Sequence, residues 1–417
     1  MTRIEHAERQ RHAHRVVLGP RCGHAWRDER GFSLIWTACG FMAMFAATTL
    51  AIDVGMLMTA RNQAQNAADA GALAGATALA FNSYADRSAA GPAVTSAMNT
   101  AKANQVIGEA PDVTPADVTF LNDPLTGRDD IVQVQVHRTA ERGNPVKTLL
   151  ARIYGVSTAD IGAVARAATI PADSERCVMP LTIPDRWSEQ PCATGGTSCW
   201  TPNDTFDKYA SQGNQQNVGN LLANPDIYIP PGQTGATGYD PDKNKGLQLV
   251  LKNNNQNKVA PSIYNAWDLP GSGGGDDYRQ NIATCNPNLV PLGSPMTPEN
   301  GNMVGPTAEG MQDLLLKDPD AKWSDGCACI VGSRYKTSPR IRIVPLYNPE
   351  KYADGQHTGK SQPTLEVVNY LGFFIEDYTA GGEVTGRIMP ISGIASKGMG
   401  PGTVPIGGFA QAIRLVQ

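Results

Sequence analysis

Histidine nearly disappears from this chain after residue 24: only His137 and His357 follow in a sequence of 417 residues. A hydrolytic triad would need one of those two. No Gly-x-Ser-x-Gly elbow, His-Glu-x-x-His helix or Gly-x-x-x-x-Gly-Lys-Ser/Thr loop accompanies them, so no catalytic residue is expected and the chain reads as a non-enzyme. Net charge is also lacking. The 35 basic and 39 acidic side chains leave -4, too little to attract nucleic acid. Asp276-Asp277 lack the ordered series of acids that an EF-hand requires, and they read as a solvated loop. Aromatic residues make up 6%, while 43 Gly and 30 Pro point to a loop-rich, largely β body. No cofactor is implied.

Charge is also missing locally, and there the absence is informative. From Phe32 to Ile52 the chain carries no charged residue over 21 positions. As a helix that run is about 31 Å long, close to the hydrocarbon thickness of a bilayer. The first 30 residues hold seven Arg against four acids, which predicts a cytoplasmic N-terminus and an exported body. The expected organisation is single-pass: a basic tail over residues 1–30, pressed on anionic lipid, and a transmembrane helix over 31–58. A cleaved secretory signal fits less well, because the apolar run is longer than an h-region and begins after the tail. Asp53 falls just beyond the uncharged run. It is expected either at the outer membrane interface or in polar contact with a partner helix.

Past the span the helix is expected to continue. Residues 59–80 lack proline and place Ala60, Ala64, Ala68, Gly71, Ala74 and Gly75 at helical spacing, so another backbone can approach closely. That partner is either the chain's own domain or a second protein. Arg61, Asn62, Gln65, Asn66 and Asp69 make the opposite face wet. The succession of the apolar span, Asp53-Val54-Gly55 and the interleaved small and amide residues from Ala60 to Gly75 resembles the N-terminal region of TadE/TadG-like proteins of the tight-adherence (Flp) pilus. The resemblance covers roughly residues 29–80. It implies a bacterial inner-membrane, pseudopilin-like component whose partners are other pilin-like or pilus-assembly proteins, and it implies no enzymatic activity. Gly31-Phe32 is similar to the site where prepilin peptidases cut, which marks both residues as a candidate processing site. Trp36 stands where the pilin pattern has Glu. The Asp-x-Ser-x-Ser metal motif that some family members carry is absent.

The expected fold class is α+β. The small-residue helix extends over 59–107, interrupted near Gly91-Pro92. A small pilin-like α+β unit follows over 108–172, with strands at 118–121, 131–136 and 161–170 and a helix at 145–154 started by Asn144 and Pro145. Proline, glycine and asparagine then become frequent, so a boundary is placed in 171–176, before a mainly β domain over 173–417. In that domain the segments 247–252 and 258–264 read as a hairpin around Asn253–Asn257, residues 340–346, 365–376 and 383–391 as strands, and 307–317 as the single helix.

Six cysteines lie beyond the span: Cys177, Cys192, Cys199, Cys285, Cys327 and Cys329. They suit three disulfides in an oxidising periplasm, and their spacing misses the usual zinc pattern. Of the 15 connectivities, those joining Cys327 to Cys329 are disfavoured by their closeness along the chain. Pairing Cys192 with Cys199 would close a short loop worth about 2.5 kcal/mol. The expected function is a membrane-anchored component of Flp-type pilus assembly or surface adhesion that packs through its N-terminal helix. The alternative is a membrane-tethered periplasmic module that binds an envelope polymer or glycan.

Overall fold

In a computed structural model, residues 30–192, 199–299, 301, 303–359, 363, 365–396, 405 and 407–416 are described. The basic tail expected over residues 1–30 lies outside them except for the backbone of Arg30, and the side chains of Arg30 and Phe32 lie outside them too. One proline-free helix, α1 (Arg30–Phe81), runs for 52 residues, or about 78 Å. Its first half is largely exposed. Its second half buries Ala60, Ala64, Ala67, Ala68, Ala72, Ala76 and Leu79 completely. The helical stretch expected through residue 107 is two helices. A turn follows Phe81, and α2 (Pro92–Ala103) starts with Pro at its first position and folds back onto α1 through Ala93, Val94, Ala97 and Ala101.

Both helices lie on one face of an antiparallel sheet. Strands β1 (Val118–Asp123) and β2 (Arg128–Arg138) form a hairpin, and Val132, Val134 and Val136 of β2 alternate into the core under α1. A short hairpin of β3 (Val146–Lys147) and β4 (Thr158–Ala159) precedes β5 (Ile161–Pro171), which pairs with β2. The helix expected at 145–154 is therefore absent. Only Ala151–Tyr154 form a single 3-10 turn, ended by Gly155 with φ +89°.

The next part of the chain closes a barrel. Its strands are β6 (Leu181–Pro184), β7 (Gln248–Asn253), β8 (Ile263–Asp268), β9 (Ile341–Tyr347), β10 (Leu365–Tyr378) and β11 (Val384–Met389). Hydrogen-bonded pairs run β10-β9-β6-β8-β7-β11 and return to β10. The long β10 serves two neighbours, β9 and β11, and Leu181, Leu249, Tyr264, Leu346, Phe373 and Ile388 are buried in one shared core. Helices α3 (Gly275–Ala283), α4 (Val304–Leu315) and α5 (Pro349–His357) pack with these strands, where one helix was expected, and Tyr278, Ile282, Met311 and Leu314 of the first two share the same buried cluster. Asp276-Asp277 sit in the first turn of α3 rather than in a loop. The expected hairpin around Asn253–Asn257 is also corrected. Strands β7 and β8 are parallel, and Val259 between them is buried in a second cluster with Phe206 and Trp267 instead of extending a ladder.

The last strand, β12 (Ala410–Val416), leaves the barrel and pairs with β5 in the first sheet. The chain thus passes the boundary expected at 171–176 twice.

Three disulfides join Cys177–Cys285, Cys192–Cys199 and Cys327–Cys329. The expectation that Cys327 and Cys329 choose different partners is overturned. They lie at the tip of a hairpin between Lys322–Ser324 and Cys329–Val331, where Ala328 adopts φ +47° and the two Cα atoms come to 5.1 Å. Peptide mapping without reductant is expected to return these three pairs, and any fragment linking Cys327 or Cys329 to another cysteine contradicts them.

Glu175 lies beside the barrel, 3% exposed, and its Oε1 has no hydrogen-bond partner among the described residues. Burial pushes its carboxyl up to about 8. With the folded value above the unfolded one, the protein takes up a proton there on folding. That stability is full at acid pH and is lost as pH rises through about 8. Asp226, raised by burial to about 7, and Asp185, raised by burial to about 6, add similar slopes at lower pH. Glu175→Gln is therefore expected to flatten stability between pH 7 and pH 8, measured by urea unfolding. An unchanged slope there contradicts the burial of an acid at this position.

Candidate functional site on the long helix

From Ser33 to Met58 nearly every position of α1 is uncovered. Leu34, Trp36, Phe41, Met42, Phe45 and Leu50 are each more than three-fifths exposed, and they project on all sides of the helix. A helix apolar around its whole circumference belongs in a large core or a membrane, and among the described residues no core surrounds this half. The helix is long and apolar enough to cross a bilayer. Its hydroxyls already have partners: Thr37, Thr48 and Thr49 donate to the carbonyls of Ser33, Met44 and Phe45 at 2.8, 2.9 and 2.7 Å. Cys39 is free and exposed in the same stretch.

Asp53 ends this uncovered stretch at 3% exposure. Its carboxylate accepts from the backbone N–H of Leu149 at 2.9 Å, from Leu150 at 3.2 Å to each oxygen, and from Ala151. These are the amides that open the 3-10 turn of Ala151–Tyr154, where donors lack partners within the turn and an anion is favoured. Across the loop, Thr148 N–H donates to Ser157 O at 3.1 Å and its hydroxyl donates to Val156 O, so the loop is tied at its base. The polar partner of Asp53 thus belongs to its own chain. The helical spacing of Val146, Leu149, Leu150 and Ile153 hid this loop in the sequence. The local hint against a helix was Gly155 followed by the β-branched Val156 and Thr158.

The small residues pack within the chain. Ala60, Ala64, Ala68, Gly71 and Gly75 are buried, and Ala74 is half-buried toward the outer side. A Cβ on Gly71 would stand 3.0 Å from both Ala101 Cβ and Ala97 O; one on Gly75 would stand 2.9 Å from Val132 Cγ1 and 3.1 Å from Ala97 Cβ. Their bareness lets α2 and β2 approach. The outward stripe of α1 is Asn62, Asn66 and Thr77, which are exposed, with Asp69 and Leu73 half-buried between them. Gln63 and Gln65 fasten the edges of the helix, accepting from Ile107 N–H at 2.7 Å and donating to Val164 O at 3.3 Å. Gly31 and Phe32 lie in the first turn of α1. The two remaining histidines are engaged elsewhere, His137 beside Asp117 at 3.3 Å and His357 stacked on Tyr209 at 4.0 Å.

Residues 31–78 match the family model of Flp pilus-assembly TadE/G-like proteins. The matched stretch covers both halves of α1, the uncovered apolar one and the small-residue one that is packed, and it supports a role related to the Tad pilus. No curated protein and no solved structure matches the chain.

Proposed function

We propose that this protein is a non-enzymatic, single-pass component of tight-adherence pilus assembly or surface adhesion, anchored in a bacterial inner membrane by residues 31–58. The observation that carries the reading is the coincidence of the family match with a helix whose first half is apolar on every side and bare of its own domain. The excess of Arg before the span supports a cytoplasmic N-terminus and a body on the periplasmic or extracellular side. Because the face from Ala60 to Gly75 is already filled by α2 and the sheet, neighbouring pilin-like helices meet α1 through the span and the outward stripe of Asn62, Asn66, Asp69, Leu73 and Thr77. Deleting the gene from a piliated strain is expected to reduce pilus number or adhesion, with restoration by the intact chain. Normal pili and normal adhesion in the deletion would sink the proposal.

A further inference from the structure

We infer that the loop from Thr148 to Ser157 is a second membrane contact, a lip that rests in the outer lipid interface beside the point where α1 leaves the bilayer; this rests on the reading of residues 31–58 as a span. Four apolar side chains on this one loop have no cover: Leu149, Ile153, Tyr154 and Val156 are each more than half exposed. So many on ten residues is a patch rather than scattered surface. The Asp53 carboxylate fixes where the patch sits, by holding three consecutive amides of the loop against α1. Asp53 is 21 residues from Phe32, which places it about 31 Å along the helix axis, at the far edge of a hydrocarbon layer entered at Phe32. The loop therefore stands at lipid-interface height, and Val54 and Met58, in the turns of α1 just after Asp53, are exposed as well.

The composition of the loop fits that occupant. Tyr154 has an aromatic body and a polar tip, the combination enriched at headgroup depth. Lys147 and Arg152 are exposed on the same segment and supply cations for lipid phosphates, with stems long enough to reach up from the apolar side. Capping by Asp53 completes the arrangement, since amides left without partners would oppose entry into the interface. With two fixed contacts, the span and the lip, the body cannot swivel freely about α1.

A photo-crosslinking amino acid placed in the full chain at Ile153 or Val156, in native membranes, tests the inference. Phe45 serves as the position inside the span and Lys322 as an exposed position on the body. Lipid adducts at 153 and 156 within a few-fold of those at 45, and none at 322, are expected. Lipid adducts at 45 with only protein adducts, or none, at 153 and 156 overturn the lip and leave the anchor standing. Absence of lipid adducts at 45 overturns the anchor and the lip with it.

Discussion

Gly71→Leu and Gly75→Leu are each expected to destabilise the folded body by about 3 kcal/mol, the upper part of the usual range for overpacking a filled core. The reason is geometric. At Gly75 even a Cβ would fall 2.9 Å from Val132 and 3.1 Å from Ala97, and at Gly71 one of the two atoms at 3.0 Å is the backbone oxygen of Ala97, which cannot rotate away. A leucine adds three more carbons to each clash. The gain in helix propensity over glycine, about 0.8 kcal/mol, offsets only part of this. Thermal unfolding of the full chain should show a drop of roughly 6–12 °C for either variant, at about 2–4 °C per kcal/mol. Asn66→Leu, on the exposed face of the same helix, should shift stability by less than about 0.5 kcal/mol. If both glycine variants unfold like the parent protein, the small-residue face is not the core of this body.

Asp53→Ala is expected to release the loop at 149–151. In the parent protein one carboxylate satisfies three consecutive amides, and truncation leaves them without an acceptor on α1. Taking a charged acceptor from these part-buried donors costs about 1–3 kcal/mol. If that cost appears as local opening, the amides of Leu149, Leu150 and Ala151 should exchange about 10–100-fold faster, while those of β2 and β5 stay unchanged. Asp53→Asn should fall between, because its carboxamide oxygen still accepts but its NH2 group confronts donors. Unaltered exchange in Asp53→Ala would mean that the carboxylate does not hold the loop.

Much of this arrangement can be read locally. Absence of charge from Phe32 to Ile52 and absence of proline through residue 80 predict one long helix, and α1 is that helix. Alternation in 131–136 predicts β2, and the apolar runs at 340–346 and 365–376 predict β9 and β10. What failed depends on partners distant in the sequence. The spacing at 145–154 is helical, yet its amides are taken by Asp53, which lies 96 residues upstream of the nearest of them. Barrel closure joins Ile183 to Leu346, and no local pattern announces a parallel pair across so long a connection. Small residues every three or four positions signal close approach without naming the partner. The sequence left a choice between another protein and the chain's own α2, and α2 fills the groove. Closeness along the chain argues against a Cys327–Cys329 bond, but a turn with Ala328 at positive φ brings the two together.

On the proposed function, α1 is lipid-embedded up to about Asp53 and belongs to a water-exposed folded body beyond it. Single spin labels at Phe41, Phe45, Leu50, Asn62 and Asn66, in full-length protein carrying Cys22→Ser and Cys39→Ser and reconstituted in liposomes, test this directly. Collision with oxygen should dominate at 41, 45 and 50, and collision with a water-soluble nickel chelate should dominate at 62 and 66. Equal access of the nickel chelate to all five positions would contradict it.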